Sequence, residues 1–164
     1  YAIDETHERL HLPHILTTRI AIEYEKLRRK VRFLRPDGKV MLTSSGFGDE
    51  MVIDNVILAV QHDPINIEEL REVIRSKLIE PVLGKYLYDG TNIYINNSGS
   101  FVKGGPIADS GLTGRKVVLD LYGGLAPVGG GCPSGKDGTK VDRSATYYAR
   151  KVAKKLLTLH LFLA

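Results

Sequence analysis

Residues 39–62, KVMLTSSGFGDEMVIDNVILAVQH, set the architecture of this chain. Lys39 to Ser44 and Met51 to His62 are rich in aliphatic and β-branched residues, and Gly46, Phe47, Gly48 and Asp49 punctuate them, so the pattern predicts a β-hairpin. On its N-terminal side, residues 13–30 carry Leu16, Ile20, Tyr24 and Leu27 at helical spacing, with Glu23, Lys26, Arg29 and Lys30 off that stripe. On its C-terminal side, Asn66 is an N-cap and Glu69 completes a capping box ahead of Ile67, Leu70, Ile74 and Leu78, a helix expected to stop near Pro81 and Gly84. Ile93 to Ile95 and Lys116 to Tyr122 read as short strands, the second because Val117, Leu119 and Leu121 alternate with Val118, Asp120 and Tyr122. A last helix begins near Asp142, with Ala145, Ala149, Val152, Leu156 and Leu159 as its apolar stripe. This order is an α+β pattern without internal repeats, not a repeating βαβ wheel.

A length of 164 residues fits one ordinary domain, or one domain and part of a neighbour. Hydrophobic residues at 43% and charged residues at 26% exclude a disordered or collagen-like chain. No apolar run approaches the roughly 20 residues needed to span a bilayer, so a membrane-embedded protein is not expected. Cys132 is the only cysteine, and no charged-then-apolar leader opens the sequence; both are expected of a cytoplasmic protein. The first residue is Tyr1, as expected of a piece of a longer chain. The net charge of +4, from 23 Lys and Arg against 19 Asp and Glu, suits an anionic ligand but is too small to demand nucleic acid. Nucleic-acid binding is therefore the most distant reading.

Glycine is concentrated late in the chain, with 12 of 17 between Gly99 and Gly138. The run Gly129-Gly130-Gly131-Cys132-Pro133-Ser134-Gly135-Lys136-Asp137 offers backbone N–H groups to an anion and a lysine to neutralise it. Gly130 to Lys136 matches the GxxxxGK part of a phosphate-binding loop, but Asp137 stands where Ser or Thr would hold magnesium and Gly138 follows, which rejects an ordinary P-loop NTPase. The plain alternative is a surface turn. Lys140 and Asp142 lie at the mouth of the last helix, where Asp142 is either an N-cap or a magnesium ligand. Asp109, Arg115 and Lys116 surround another turn and serve either a polyphosphate or solvation of a strand end. Because apolar periodicity lapses after Gly123, a boundary is expected there, giving a sheet-and-helix domain with its preceding segment over 1–123 and a glycine-rich loop and helix over 124–164.

Several blocks agree in order and spacing with one family. Gly104-Gly105-Pro106, Gly111-Leu112-Thr113-Gly114-Arg115-Lys116, Tyr122-Gly123-Gly124, Gly129-Gly130-Gly131, Ser134-Gly135-Lys136-Asp137 and Lys140-Val141-Asp142-Arg143-Ser144-Ala145 closely resemble methionine adenosyltransferase, also called S-adenosylmethionine synthetase. Earlier blocks fit as well: Tyr1-Ala2, Asp4-Glu5-Thr6, Leu34-Arg35-Pro36-Asp37-Gly38-Lys39 and Gln61-His62-Asp63. The resemblance runs through the chain to Leu157.

The resemblance implies formation of S-adenosylmethionine from ATP and methionine, followed by cleavage of the displaced tripolyphosphate to phosphate and pyrophosphate. It implies Lys136, Arg115 and Lys39 as catalytic cations. For ATP it implies Asp37, Gly38, Lys39, Ser100, Phe101, Asp109, Arg115, Lys116, Cys132 and Lys136, with Phe101 stacking on adenine. Asp109 and Lys140 are implied near methionine and Asp142 near magnesium; potassium is implied too, with no ligand identified in this chain. The implied fold repeats similar sheet-and-helix domains, one mostly complete here and one partial, in a homodimer or dimer of dimers. The two-sided run Val52, Ile53, Val56, Ile57, Leu58 and Val60 would then face a partner. Pro133, Val128 and Ser100 depart from the family's usual phenylalanine, histidine and arginine, and the family's upstream histidine-and-aspartate motif is not among these residues. An isolated chain without turnover is therefore expected. The alternative is a noncatalytic relative that binds nucleotide or pairs with an intact subunit. His7, His11, His14, His62 and His160 read as surface or core histidines.

Overall fold

A three-stranded sheet forms the centre of residues 15–110, one of the two units into which the chain's contacts divide. The computed structural model describes residues 1–46 and 48–159; Phe47 of the hairpin turn and His160 lie outside them. Strands β1 (Leu34–Ser45) and β2 (Val52–His62) pair antiparallel, as the hairpin pattern predicts, and β3 (Asn92–Ile95) joins β2 in parallel. A parallel neighbour requires a crossover. That crossover contains α2 (Ile67–Ile74), a π turn (Arg75–Ile79) and α3 (Glu80–Leu83), so the fold is α+β.

Burial alternates along β2: Leu58, Val60 and His62 point inward, while Ile57 points out. A register shift pairs Thr43 with Asn55 and then Ser44 with Ile53, leaving Asp54 as an extra residue and turning both Ile53 and Val56 inward. Helix α1 (Leu12–Arg28) supplies Leu16, Ile20 and Tyr24 to this core, and the crossover supplies Leu70, Ile74, Leu78, Ile79 and Leu83. Of the run expected on both faces, Ile53, Val56, Leu58 and Val60 face the core and Ile57 the outer side. The outer face carries one apolar row across the strands, Met41, Ile57 and Tyr94, set by their pairing.

Asn66 caps α2 by accepting from the Glu68 N–H at 2.8 Å, one residue earlier than the capping-box pattern implies. The π turn explains how Pro81 sits inside a continuing helix. Proline lacks an N–H and its ring collides with the carbonyl four residues back, and the wider turn, in which the Glu80 N–H reaches the Arg75 carbonyl, makes room. Gly84 follows Leu83, where the sequence predicts the stop.

Where β3 ends, buried Asn96 takes a left-handed conformation with φ of 45° and replaces a strand partner. Its side chain accepts from the Val60 N–H at 2.8 Å and donates to the Val60 carbonyl at 2.9 Å. Asn96→Ala deletes both bonds and leaves a β-carbon in that conformation. Equilibrium urea unfolding should show a loss of about 3 kcal/mol.

Tyr24, 8% exposed, donates its hydroxyl to the Arg35 carbonyl at 2.5 Å. Burial pushes its pKa up to about 12. Because the unfolded value is near 10, the stability tied to the neutral phenol is complete below pH ~10 and is lost as pH climbs through ~12, roughly 3 kcal/mol in all. Unfolding measured across that window should show the decline, and Tyr24→Phe should flatten it.

The second unit joins residues 1–14 to those from 111 on. Here the guanidinium of Arg150 gathers the N-terminal segment, donating to the carbonyls of Tyr1, Glu8 and Arg9. The rings of Tyr1 and Tyr122 meet at a tilt of 53°, with centroids 4.5 Å apart. Lys116 to Tyr122 is not the expected strand: Val117–Asp120 forms a short helix, α4, closed by Asp120 N–H to Lys116 carbonyl at 2.8 Å. No strand is described in this unit, so an extended segment would have no ladder partner; Val118 and Leu119 stay exposed.

Helix α5 (Val141–Thr158) is where the last helix is predicted, but it turns a different face inward. Val152 and Leu159 of the expected stripe are exposed, while Arg143, Thr146, Arg150 and Ala153 are half-buried. Arg150's three carbonyl partners fix that rotation. The boundary expected after Gly123 lies within this unit, and the contact division falls between Ser110 and Gly111. Among the described residues no helix is long and apolar enough to cross a membrane.

Candidate functional site

Each unit gathers part of the candidate set. In residues 15–110, the ends of β1 and β2 hold a loop that carries Ser100, Phe101 and Asp109. The Phe101 carbonyl accepts from the His62 N–H at 3.0 Å, and the Gln61 side chain donates to the Val102 carbonyl at 3.1 Å. Asp37 accepts from the Gly105 N–H at 2.8 Å. Gly104 packs so closely on Gln61 that a β-carbon there would lie 2.6 Å from its amide carbon, so the loop cannot follow this path with a larger residue unless Gln61 moves. Gly105 then accepts at its carbonyl from Ala108 and Asp109, both at 3.0 Å, in a tight turn.

This lacing brings Asp37, Phe101 and the Asp109 turn to one end of the hairpin. Phe101 is half-buried, and Ser100 and Asp109 are exposed. Gly38 and Lys39 continue β1 opposite Val60 and Ala59, with Lys39 exposed. Gly38 also lies close to the opposite strand, where an added β-carbon would sit 3.0 Å from the Ala59 carbonyl oxygen.

In the other unit, the glycine-rich loop folds back on the start of α5. Lys136 Nζ lies 2.5 Å from Asp142 Oδ2, and a β-carbon at Gly131 would sit 2.8 Å from Asp142 Oδ1. Glycine at 131 therefore makes room for the carboxylate. Arg143 donates to the Lys136 carbonyl, and the Asp137 carboxylate accepts from the Thr139 N–H and hydroxyl, which holds its pKa below the usual range. Lys140, rather than Asp142, occupies the N-cap position of α5, which corrects the capping alternative. Asp142 instead sits in the first turn, where the helix dipole favours a carboxylate.

Cys132 is buried and donates its thiol to Asp120 Oδ2 at 3.0 Å. That bond to a carboxylate, followed by burial, pushes the thiol's pKa up. Ser134 and Cys132 in turn hold Asp120 below its ordinary value. Cys132 is thus placed as a protonated, packed side chain. Arg115 and Lys116 are exposed ahead of α4, Lys116 at its N-cap position.

Some participants are absent from the candidate set read in the sequence. Gln61, Gly104 and Asp120 act through residues 12 or more positions away, and Arg143 through the Lys136 carbonyl seven residues back. His62 reads in the sequence as a surface or core histidine, and only the block Gln61-His62-Asp63 marks it. Helix α5 begins at Val141, four residues beyond Asp137, which agrees with the rejection of an ordinary P-loop.

Comparison with known proteins covers both units. Residues 1–101 match the model of the S-adenosylmethionine synthetase central domain, and residues 103–162 match that of the S-adenosylmethionine synthetase C-terminal domain. The chain is 48% identical over 163 residues to an S-adenosylmethionine synthase of Pseudothermotoga lettingae, covering 96% of this chain and 41% of that protein. It is 47% identical over 163 residues to those of Lacticaseibacillus casei and Lacticaseibacillus paracasei, with the same coverage, 96% and 41%. The chain therefore spans about two fifths of the length of these relatives. With a central-domain match over residues 1–101 and a C-terminal-domain match beyond it, the chain belongs to the S-adenosylmethionine synthetase family.

Proposed function

We propose that these residues supply part of the ATP and polyphosphate site of a methionine adenosyltransferase. In that reaction the methionine sulfur attacks C5′ of ATP, the C5′–O bond breaks, and tripolyphosphate leaves with the bonding electrons. Water then splits tripolyphosphate into phosphate and pyrophosphate. Charge accumulates on the leaving group, so cations fixed beside it lower the barrier. Lys136, Arg115 and Lys39 take that role, Lys116 and Cys132 line the ATP side, and Asp109 and Lys140 serve the methionine end. Phe101 stacks on adenine, with Ser100, Asp37 and Gly38 in the same nucleotide-facing region. The observation that carries this reading is Lys136, held 2.5 Å from Asp142 at the close of a triple-glycine loop in a chain of this family.

Among the described residues no group of three His, Cys, Asp or Glu side chains gathers for a metal ion. Magnesium in nucleotide sites is commonly held by one or two carboxylates plus substrate phosphates, so the single Asp142 carboxylate fits an ion that arrives with ATP. When bound there, magnesium would neutralise phosphate charge. No residue is assigned to potassium.

Given ATP, methionine and magnesium, the 164 residues alone should form no S-adenosylmethionine above a protein-free control; robust turnover would refute that part of the reading. The protein should also self-associate, as a homodimer or dimer of dimers, through a sheet face bearing Met41, Ile57 and Tyr94. Light scattering over a range of concentrations tests this, and a strict monomer counts against it. The lone cysteine supports a cytoplasmic site of action.

A further inference from the structure

His62 is 1% exposed and has no part in the chemistry above. Its two ring nitrogens have separate partners: Nδ1 lies 2.8 Å from the Asp63 carbonyl, and Nε2 lies 3.0 Å from the Phe101 nitrogen. A backbone N–H can only donate, so Nε2 is the unprotonated acceptor and Nδ1 carries the proton to Asp63. The backbone closes the same contact in the other direction, since the Phe101 carbonyl accepts from the His62 N–H at 3.0 Å. Phe101 is therefore clamped at both of its main-chain polar groups by one residue at the end of β2.

The clamp has a rigid base. The Asp63 N–H donates to the Phe33 carbonyl at 2.8 Å, and the Asp63 carboxylate takes a two-pronged bond from Arg35, 2.7 Å at each oxygen. Each bond fixes the carbonyl that orients the ring, and burial denies the imidazole a water molecule as a substitute acceptor.

We infer that His62 is a positioning residue for the nucleotide base: its neutral Nδ1–H imidazole sets the backbone of Phe101 and with it the ring that receives adenine. This rests on the proposed role of Phe101 in ATP binding. His62→Leu keeps bulk but removes the acceptor, whereas His62→Gln can return an oxygen near the Nε2 position. Affinities for adenylyl imidodiphosphate and for inorganic tripolyphosphate, measured by calorimetry on the full chain, separate base positioning from general damage.

His62→Leu should weaken the nucleotide analogue roughly tenfold, the scale of one base stack, with tripolyphosphate affinity unchanged, and His62→Gln should restore most of the loss. An unchanged nucleotide affinity in folded His62→Leu, or equal weakening of both ligands, overturns the inference. If the unsubstituted chain binds tripolyphosphate but not the analogue, the proposed role of Phe101 fails and this inference fails with it. Should His62→Leu not fold, the unsubstituted protein supplies the readout. Imidazole ¹⁵N spectra should show the Nδ1–H tautomer, and the analogue should slow exchange of the Phe101 amide. The other tautomer, or exchange unaffected by saturating analogue, overturns the inference.

Discussion

In a methionine adenosyltransferase that contains these residues, as proposed above, replacing Lys136 with alanine is expected to slow the chemical step at least roughly tenfold, with methionine affinity nearly unchanged. The tenfold floor corresponds to about 1.4 kcal/mol of transition-state stabilisation. Lys136 closes the glycine-rich loop, and its ammonium already rests against the Asp142 carboxylate. Removing it deletes a positive charge and leaves that carboxylate without this partner in a region proposed to receive polyphosphate. Arg115→Ala should act in the same direction, because a guanidinium can bridge two phosphate oxygens. Single-turnover quench measurements read the chemical rate directly. Unchanged rates in both variants, with only methionine affinity reduced, would remove these residues from the polyphosphate role.

The largest stability effect is expected at Leu78, fully buried within the π turn. The wider turn advances the helix by an extra residue, so the inward face passes through Leu70, Ile74, Leu78 and then Leu83. Leu78→Ala should cost about 4 kcal/mol, from lost transfer energy and the cavity left behind. Urea unfolding measures it. A loss under about 1 kcal/mol would show that this face is not packed as described.

Those two outcomes draw on parts of the molecule that were unequally legible in the sequence. Helices α1 and α2 are legible because each buries one face at a helical period, and the hairpin because glycines punctuate its turn. Lys116 to Tyr122 misled for the converse reason. Its alternation is that of a strand, but a strand needs a ladder partner, and α4 satisfies its backbone locally instead. In α5, hydrophobicity pointed to Val152 and Leu159, while the orientation is set by Arg150 reaching three carbonyls near the N-terminus. No periodicity measure weighs such bonds.

The site shows the same division. The glycine-rich loop and its lysine announced themselves by composition, and the pairing of Lys136 with Asp142 follows from the loop's return to α5. Asp142 as a cap is a local inference, overturned because the helix begins two residues earlier than a cap there would require. His62 occupies an inward position of β2 and so reads as core. Only its contact with Phe101, 39 positions away in the chain, distinguishes it from a packed histidine.

We propose that the loop ending in Lys136 receives tripolyphosphate. Calorimetric titration of tripolyphosphate into the protein and its Lys136→Ala variant tests it most directly. Saturable binding that weakens with added salt, and falls at least roughly tenfold in the variant, is the predicted result. Absence of binding, or equal affinity in the two proteins, would contradict it.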